Sequence, residues 1–477
     1  MRPLDVPGDD FDPAESFAML LGYFREHAGF VDRVDLSRWR RDPELVERSG
    51  ALAAEITRTG VVSARQIFDA MSRPSAVFTL LMAIDQAFLR IDPRSGGHER
   101  GRLGRHRQTL WTTGFYYAHP ERGYVLPRRG YPARPLPVPD DVADYFRALM
   151  VVPEMPHDVR LDVIPEEVDF DEKARERIAG TGTIVVGCVP FMTDISELEM
   201  TAVDDADPWY SITIRERPGN GGGVKDWSGH WQERIRAVLH RLDRSGAHVG
   251  VLPELSLTDD LLAYWRWLLP RTPRPKDGDL QWIMAGTGPL DDGHGDDRRP
   301  NRAVLLHRRT GAIVVEQDKC DGFTMTEHQI RAWQLLGLEP GPRAEWMREG
   351  RSRIVFDAAA GRFSIAVCED LNRLLTTGAR LAALGPTHLI VPIFAPPIQQ
   401  DRWQHDSGAR FAHTTGSATV VANSRALANG LPVSIATGTA LAVRPIDPGP
   451  SKTWWLQTDI KDVASPAGVA VFHLPRS

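Results

Sequence analysis

Three residues of the 477-residue chain combine reactive chemistry with suggestive placement: Glu254, Lys319 and Cys368. Each stands at or near the carboxyl end of a short, largely apolar run. Glu254 follows Val249-Gly-Val-Leu-Pro253, Lys319 follows Ile313-Val-Val-Glu-Gln-Asp318, and Cys368 follows Phe363-Ser-Ile-Ala-Val367. A buried strand ending in a polar side chain is how α/β folds present a reactive group on rigid support. A free thiol is only a few per cent ionised at neutral pH, so a nucleophilic Cys368 needs a base within hydrogen-bond reach or a cationic neighbour. A carboxylate supplies the base, and an ammonium stabilises an oxyanion. Taken singly, each residue also has a structural reading. Glu254 is then a helix-start carboxylate, Lys319 pairs with Glu316 or Asp318, and Cys368 is an inert buried thiol. Lysine occurs only at positions 173, 225, 276, 319, 452 and 461, arginine supplying the rest of the 57 cations, so a lysine at a strand end carries extra weight.

The elements that must carry these residues follow from hydrophobic periodicity. From Gly182 onward, continuous apolar runs predict strands at 183–189, 248–252, 280–285, 302–307, 313–317, 363–367, 388–393 and 418–423. The alternation at 433–442 and 468–474 predicts further β-structure. Helical spacing appears at 231–242, at 259–269 behind Thr258 or Asp259 as cap, and at about 400–415. Before residue 180 the pattern differs. Phe17, Leu20, Leu21 and Phe24 recur at i, i+3, i+4 and i+7, and 77–89 repeats the habit, which predicts a mainly helical amino-terminal domain over residues 1–180. Pro135–Pro139 and the acidic stretch Glu166–Glu176 read as connectors.

The order and context of the three residues resemble the nitrilase, or carbon–nitrogen hydrolase, superfamily. The matching pieces are Val251-Leu-Pro-Glu254-Leu-Ser, Gln317-Asp-Lys319-Cys-Asp-Gly-Phe and Ala366-Val-Cys368-Glu-Asp-Leu-Asn. Trp403 and the helix through Ala409-Arg410-Phe411-Ala412, leading into Thr419-Val-Val-Ala-Asn423, match as well. The resemblance covers about residues 182–475, and the Cys-Glu-Asp form looks closest to the glutaminase domains of NAD synthetases. It implies an α/β fold over 181–477, a four-layer α-β-β-α sandwich, with a Glu–Lys–Cys triad. The implied chemistry is hydrolysis of a non-peptide carbon–nitrogen bond, an amide going to acid plus ammonia or amine through a thioester. Glu254 is then the general base, and Lys319 stabilises the oxyanion with the backbone N–H of Glu369. Glu327, eight residues after the lysine, is implied as a substrate-orienting carboxylate. A homo-oligomer and a small amide-type substrate are implied too, with no cofactor and no metal. Acyl transfer, ammonia supply to a partner enzyme and nitrile hydrolysis are the nearby alternatives.

Two features depart from compact members of that family. The interval between Lys319 and Cys368 is long, its excess falling in Arg331–Arg353 with Trp333, Leu335, Leu336, Trp346 and Met347. This segment reads as a lid, a subunit interface or a surface loop. Cys320 beside the lysine has no assigned role beyond packing.

Composition sets the outer bounds. The 57 Lys plus Arg against 63 Asp plus Glu leave a net charge of −6, which argues against a surface wholly devoted to nucleic acid. Locally, Arg94–Arg134 holds nine arginines against Glu99 and Glu121, interleaved with His98, His106, Trp111, Tyr116, Tyr117 and Tyr124. It reads as a solvated arginine-rich loop with a small hairpin, or as a polyanion or nucleic-acid surface in a sensing or interaction protein built on a hydrolase fold. No apolar run approaches the ~20 residues of a membrane span. Three cysteines are too few for a disulfide scaffold, and the acidic start of the chain points to a cytoplasmic protein. The glycine-rich Gly219–Lys225 lacks phosphate-loop spacing, and Asp291–Asp297 reads as an exposed acidic turn rather than a cation site.

Overall fold

A computed structural model of the chain describes residues 10–28, 31, 33–91, 102–129, 142–203, 208–215, 227–291, 293, 297–333, 335, 341–428, 437–446 and 455–475. It is a mixed α/β protein. Its first part carries the helices Pro13–His27, Arg33–Arg41, Pro43–Thr59, Ala64–Met71 and Pro74–Leu89. Asp12 starts the first of them by accepting the Ala14 and Glu15 amides, with Pro13 in the first helical turn. Phe17, Leu20, Leu21 and Phe24 pack with Val77, Phe78, Leu81 and Phe88 in a core of their own. The buried Asp85 fastens this helical layer to the chain beyond it, accepting the amides of Arg147, Ala148 and Leu149 at 2.8–2.9 Å.

Of the basic segment, residues 94–101 and 130–134 lie outside the described residues. Its remainder forms the helix Gly104–Thr113 and a hairpin, Tyr117–His119 with Gly123–Pro127. Several of its cations have internal partners. Arg105 faces Asp12, Arg122 bonds Glu15, Arg128 donates to the Ala143 carbonyl, and Arg129 pairs with Asp357. Among the described residues, no helix is long and apolar enough to cross a membrane.

Two larger sheets make up the rest. The first orders its strands 313–318, 301–307, 282–289, 249–257, 183–188 and 470–475. The second orders them 455–461, 440–446, 418–423, 388–393, 361–365, 353–358 and 159–163. Val186, Val251, Met284 and Leu305 of the first share one apolar core with Phe356, Ile365, Val391 and Val420 of the second. Because these strands are buried on both faces, they read as continuous apolar runs in the sequence. Leu252, Ile283 and Val304 alternate with those inward residues and pack with helices Trp227–Arg244 and Asp259–Arg271. On the second sheet, Phe411 and Ala412 of helix Trp403–Thr415 pack with the cluster that contains Val420 and Leu441. A smaller sheet of strands 324–325, 343–345, 209–214 and 198–202 sits beside the first.

The division expected near residue 180 does not coincide with the sheet boundary. The edge strand Val159–Val163 pairs in parallel with Arg353–Ala358, register Val159 to Arg353. Asp169 accepts the Ala359 amide at 2.9 Å, and Trp282 donates its indole N–H to the Val168 carbonyl at 2.9 Å. Burial pushes the Asp169 carboxyl up to about 6, against the opposing pull of the Phe170 and Ala359 amides. A carboxyl raised in the folded state holds more protons there than in the unfolded chain, so its contribution to stability falls as pH climbs from about 4 to about 6. The effect is at most about 3 kcal/mol, roughly 2 pKa units at 1.36 kcal/mol each. Denaturant midpoints of wild type and Asp169→Asn at pH 4.5 and 7.5 check this. The wild type should lose stability relative to the variant on going to pH 7.5, and a pH-independent difference would refute it.

Candidate active site

Cys368 sits in a sharp elbow between strand Gly361–Ile365 and helix Glu369–Ala382. Its φ of +48° lies in the left-handed region, a conformation that costs a non-glycine residue about 1–2 kcal/mol and persists only where surroundings enforce it. They do so here: its N–H donates to the Pro392 carbonyl at 3.0 Å, and its carbonyl accepts the Leu371 amide at 3.0 Å. The thiol points toward the Phe394 carbonyl, 3.8 Å away. As the first residue of the helix, Glu369 contributes one of the backbone N–H groups that the helix itself leaves unsatisfied. The Glu369 side chain is held by Arg373 at 3.1 Å and Asn372 at 3.4 Å.

Glu254 occupies a bulge. Pairing of its strand with 282–289 shifts register between Leu252 and Leu257, and Leu255 adopts φ +63°. The bulge needs Gly286 opposite, since a Cβ there would lie 2.5 Å from the Glu254 Cα. Glu254 is 3% exposed, yet its oxygens are well supplied with donors. Oε1 accepts from Lys319 Nζ at 2.9 Å and from Asn301 Nδ2 at 2.8 Å; Oε2 accepts the Phe394 amide at 3.0 Å. Asn423 fixes the loop behind that amide through three bonds to Ala395 and Pro396.

Lys319, 1% exposed, donates a second bond to Glu345 Oε2 at 2.6 Å. Burial alone would push its ammonium down, but the Glu254 and Glu345 carboxylates outweigh it and hold the group well above the usual lysine range. Cys368 goes the same way for different reasons. Burial raises its thiol, the charge of Glu254 and a hydrogen bond to it raise it further, and Lys319 opposes them. The resting pair is therefore a neutral thiol facing an acceptor carboxylate.

The structure thus brings Glu254, Lys319 and Cys368 together, and leaves Glu327 out. Glu327 is exposed on the first turn of helix Glu327–Ala332 and pairs with Arg331. The sequence held a sign of this: Thr326-Glu-His-Gln329 is a capping box, with Thr326 and Gln329 bonded reciprocally, which puts Glu327 in a helix start. The second carboxylate beside the lysine is Glu345 instead. It also accepts from Asn301 Nδ2 at 2.9 Å and the Phe323 amide at 3.1 Å. Sequence reasoning missed Glu345, Asn301 and Tyr210, whose hydroxyl reaches the Phe323 carbonyl at 3.3 Å. Glu345 lies inside the 331–353 insertion, on strand Arg343–Glu345, which pairs with Trp209–Ile214 in the small sheet. Trp333 and Trp346 of the same insertion line the site, Trp346 packing against Trp209 with Arg298 stacked on both rings. The described part of the insertion is a roof over the lysine. Residues 334 and 336–340 of it lie outside the described residues.

Cys320 packs as expected, its Sγ near the Asp318 and Ser352 carbonyls and its thiol pushed up to about 12 by burial. Gly219–Lys225 lies outside the described residues, as do 292 and 294–296 of the acidic turn, where Asp291 accepts the Gly293 amide.

Cys368 stands between two spaces. An inner cavity of about 30 Å³ is lined by Glu254, Lys319, Glu345 and Tyr210. An outer one of about 400 Å³, bounded by Trp333, Phe394, Arg402, Trp403 and Gln404, opens from the thiol. A larger trough of about 1010 Å³ runs along the edge strand Ile313–Asp318 with Arg160, Arg302 and Arg351, and it contains none of the three residues. Chemistry rather than size marks the site.

No family model and no curated protein matches the chain in sequence. The solved structures it is similar to include nitrilase-superfamily amidases, Nit3 and glutamine-dependent NAD+ synthetases. One is an amidase from Nesterenkonia sp. AN1 with the acetamide moiety of fluoroacetamide added covalently at its active-site cysteine. It is 14% identical, with a TM-score of 0.37, over 62% of this chain and 92% of the amidase. Another is Nit3 of Saccharomyces cerevisiae, a member of branch 10 of the nitrilase superfamily, 13% identical, TM-score 0.34, over 55% and 82% of the two chains. A third is the glutamine-dependent NAD+ synthetase of Acinetobacter baumannii, 13% identical, TM-score 0.37, over 61% of this chain and 45% of the synthetase.

Proposed function

We propose that the protein is a cysteine-dependent hydrolase of a non-peptide carbon–nitrogen bond, an amide in the first instance, on a four-layer α-β-β-α sandwich of the nitrilase kind. The observation that carries this reading is a single one. The Glu254 carboxylate takes the Lys319 ammonium at 2.9 Å and is at the same time the acceptor facing the Cys368 thiol.

The steps follow from that geometry. Glu254 takes the thiol proton as Sγ attacks the amide carbon, so the thiolate need not exist in the resting enzyme. The carbonyl oxygen becomes an oxyanion. An ammonium has three N–H donors, and Glu254 and Glu345 occupy two, so the third is left for that oxygen along with the Glu369 backbone N–H. Glu254 then hands its proton to the departing nitrogen as the carbon–nitrogen bond breaks. In the second half it takes a proton from the water that attacks the thioester, then returns that proton to Sγ as the carbon–sulfur bond breaks, which releases the acid and restores the thiol. Glu345 and Asn301 act through Lys319 and Glu254, holding both in register.

Mass spectrometry of the protein, acid-quenched during turnover of a panel of simple amides, tests the proposal. A mass increment equal to the acyl group should appear on the peptide containing Cys368. Turnover with no adduct at any quench time, or an adduct on another residue, would end it. The two glutamates give a separate check. Glu345→Gln should lower kcat about 10- to 100-fold, the worth of one charged hydrogen bond at Lys319, whereas Glu327→Gln should stay within about twofold on the same scale. Equal losses would return Glu327 to the site.

A further inference from the structure

The lysine and the cysteine come from different sheets. Lys319 follows an edge strand of the six-stranded sheet, and Cys368 follows a central strand of the seven-stranded one. Something must fix the distance between them, and one side chain bonds the loop after the lysine and the turn of the cysteine together. Asp370, 1% exposed, sits two residues after the cysteine in the first turn of helix Glu369–Ala382. Its Oδ1 accepts the Cys320 amide at 2.9 Å and the Asp321 amide at 2.8 Å, the two residues directly after Lys319. Its Oδ2 accepts the Val367 amide at 3.1 Å, the residue directly before Cys368.

We propose that Asp370 is a positioning residue that ties the lysine loop to the cysteine elbow, and that its grip is full only as a carboxylate. The inference rests on the hydrolase reading given above. Its physical basis is a count of donors. All three bonds arrive from backbone N–H groups that cannot turn away, so every partner demands an acceptor. A proton on Oδ2 would make that oxygen a weaker acceptor for the Val367 N–H and add a buried O–H that needs an acceptor of its own, and one on Oδ1 would displace the Cys320 or Asp321 amide. Either way the tie to one loop weakens, and an error of about 1 Å in a catalytic group costs on the order of 100-fold in rate.

The surroundings set where that proton arrives. Burial pushes the Asp370 carboxyl up to about 7, against its amide bonds and the charges of Lys319 and Arg353. Arg353 in turn pairs with the Asp321 carboxylate at 2.8 Å, and the Cys320 thiol is the remaining titratable neighbour on the lysine loop. From the cysteine side, the groups at hand are Cys368 itself and Glu369, which Arg373 occupies. The acid limb of the pH–rate profile is accordingly a property of the strut.

Asp370→Asn separates positioning from mere packing. The amide has the same shape but must point its NH₂ at one of the backbone donors. The expected result is a kcat lower by about 10- to 100-fold with KM changed less than about threefold, and a residual rate whose acid limb near pH 7 has moved or vanished. Wild-type kcat and an unmoved limb in the variant would overturn the proposal. Should Asp370→Asn fail to fold, Asp370→Glu carries the test. It must lose rate through displacement yet keep a limb, and full activity in it would equally overturn the idea. Failure of the hydrolase reading looks different, because wild-type protein would then show no Cys368-dependent turnover at all.

Discussion

Cys368→Ala is expected to remove ammonia release entirely, a loss of at least about 10⁴-fold, because no other group in the site can form the acyl intermediate. Its fold should survive. The Sγ meets the Glu254 carboxylate and the Phe394 carbonyl, the latter at 3.8 Å, but the elbow is held by backbone bonds through the Cys368 N–H and carbonyl, which alanine keeps. Removing one buried sulfur should cost about 1 kcal/mol or somewhat more. An ammonia assay together with a melting curve decides the matter. Turnover above about 1% of wild type in a well-folded variant would show that the thiol is not the nucleophile. Cys368→Ser is the companion control, since its hydroxyl fills the space and keeps a hydrogen bond but ionises far less readily. It should be nearly as inactive.

Lys319→Met should show the second-largest effect, and it should show it twice. Kinetically, loss of one oxyanion donor costs about 100- to 1000-fold. Thermodynamically, the two buried carboxylates of Glu254 and Glu345 lose the cation between them, keeping Asn301 Nδ2 as a shared donor. Breaking a buried pair from one side typically costs about 3–5 kcal/mol. The sign with pH is opposite to that of ordinary carboxylate pairs. In the wild type the Lys319 ammonium is raised, so its contribution is fully present below the normal lysine range and fades only at strongly alkaline pH. In the variant a proton relieves the clash of the two carboxylates, so the deficit should shrink between pH 8 and pH 5. Denaturation curves at those two pH values measure it. A deficit that is constant or grows as pH falls would mean that Lys319 is not the charge that Glu254 and Glu345 depend on.

The roof over the lysine explains why part of the site was illegible. Glu345 reaches Lys319 because a three-residue strand, Arg343–Glu345, pairs with Trp209–Ile214 from far earlier in the chain, Glu345 opposite Tyr210. So short a strand carries no period of its own, and its partner is chosen by packing rather than by local propensity. Glu327 was the more visible acid for the opposite reason: it has a recognisable spacing from Lys319, while its capping box had already committed it to a helix start. The edge strand Val159–Val163 was hidden in the same way: it lies between the two segments read as connectors, and Arg353–Ala358 gives it a partner only in the fold.

The amino-acid order alone determined the apolar runs that end in Glu254, Lys319 and Cys368, and with them the acid, cation and thiol of the site. It could do so because strands buried on both faces must be apolar throughout, so a reactive group at the end of one stands out. Tertiary structure decided which other groups share that space: Glu345 rather than Glu327, Asn301 between two carboxylates, and Asp370 bridging two sheets. Those choices depend on distances between segments that are remote in the chain. Close packing sets such distances, and no local pattern of residues records them.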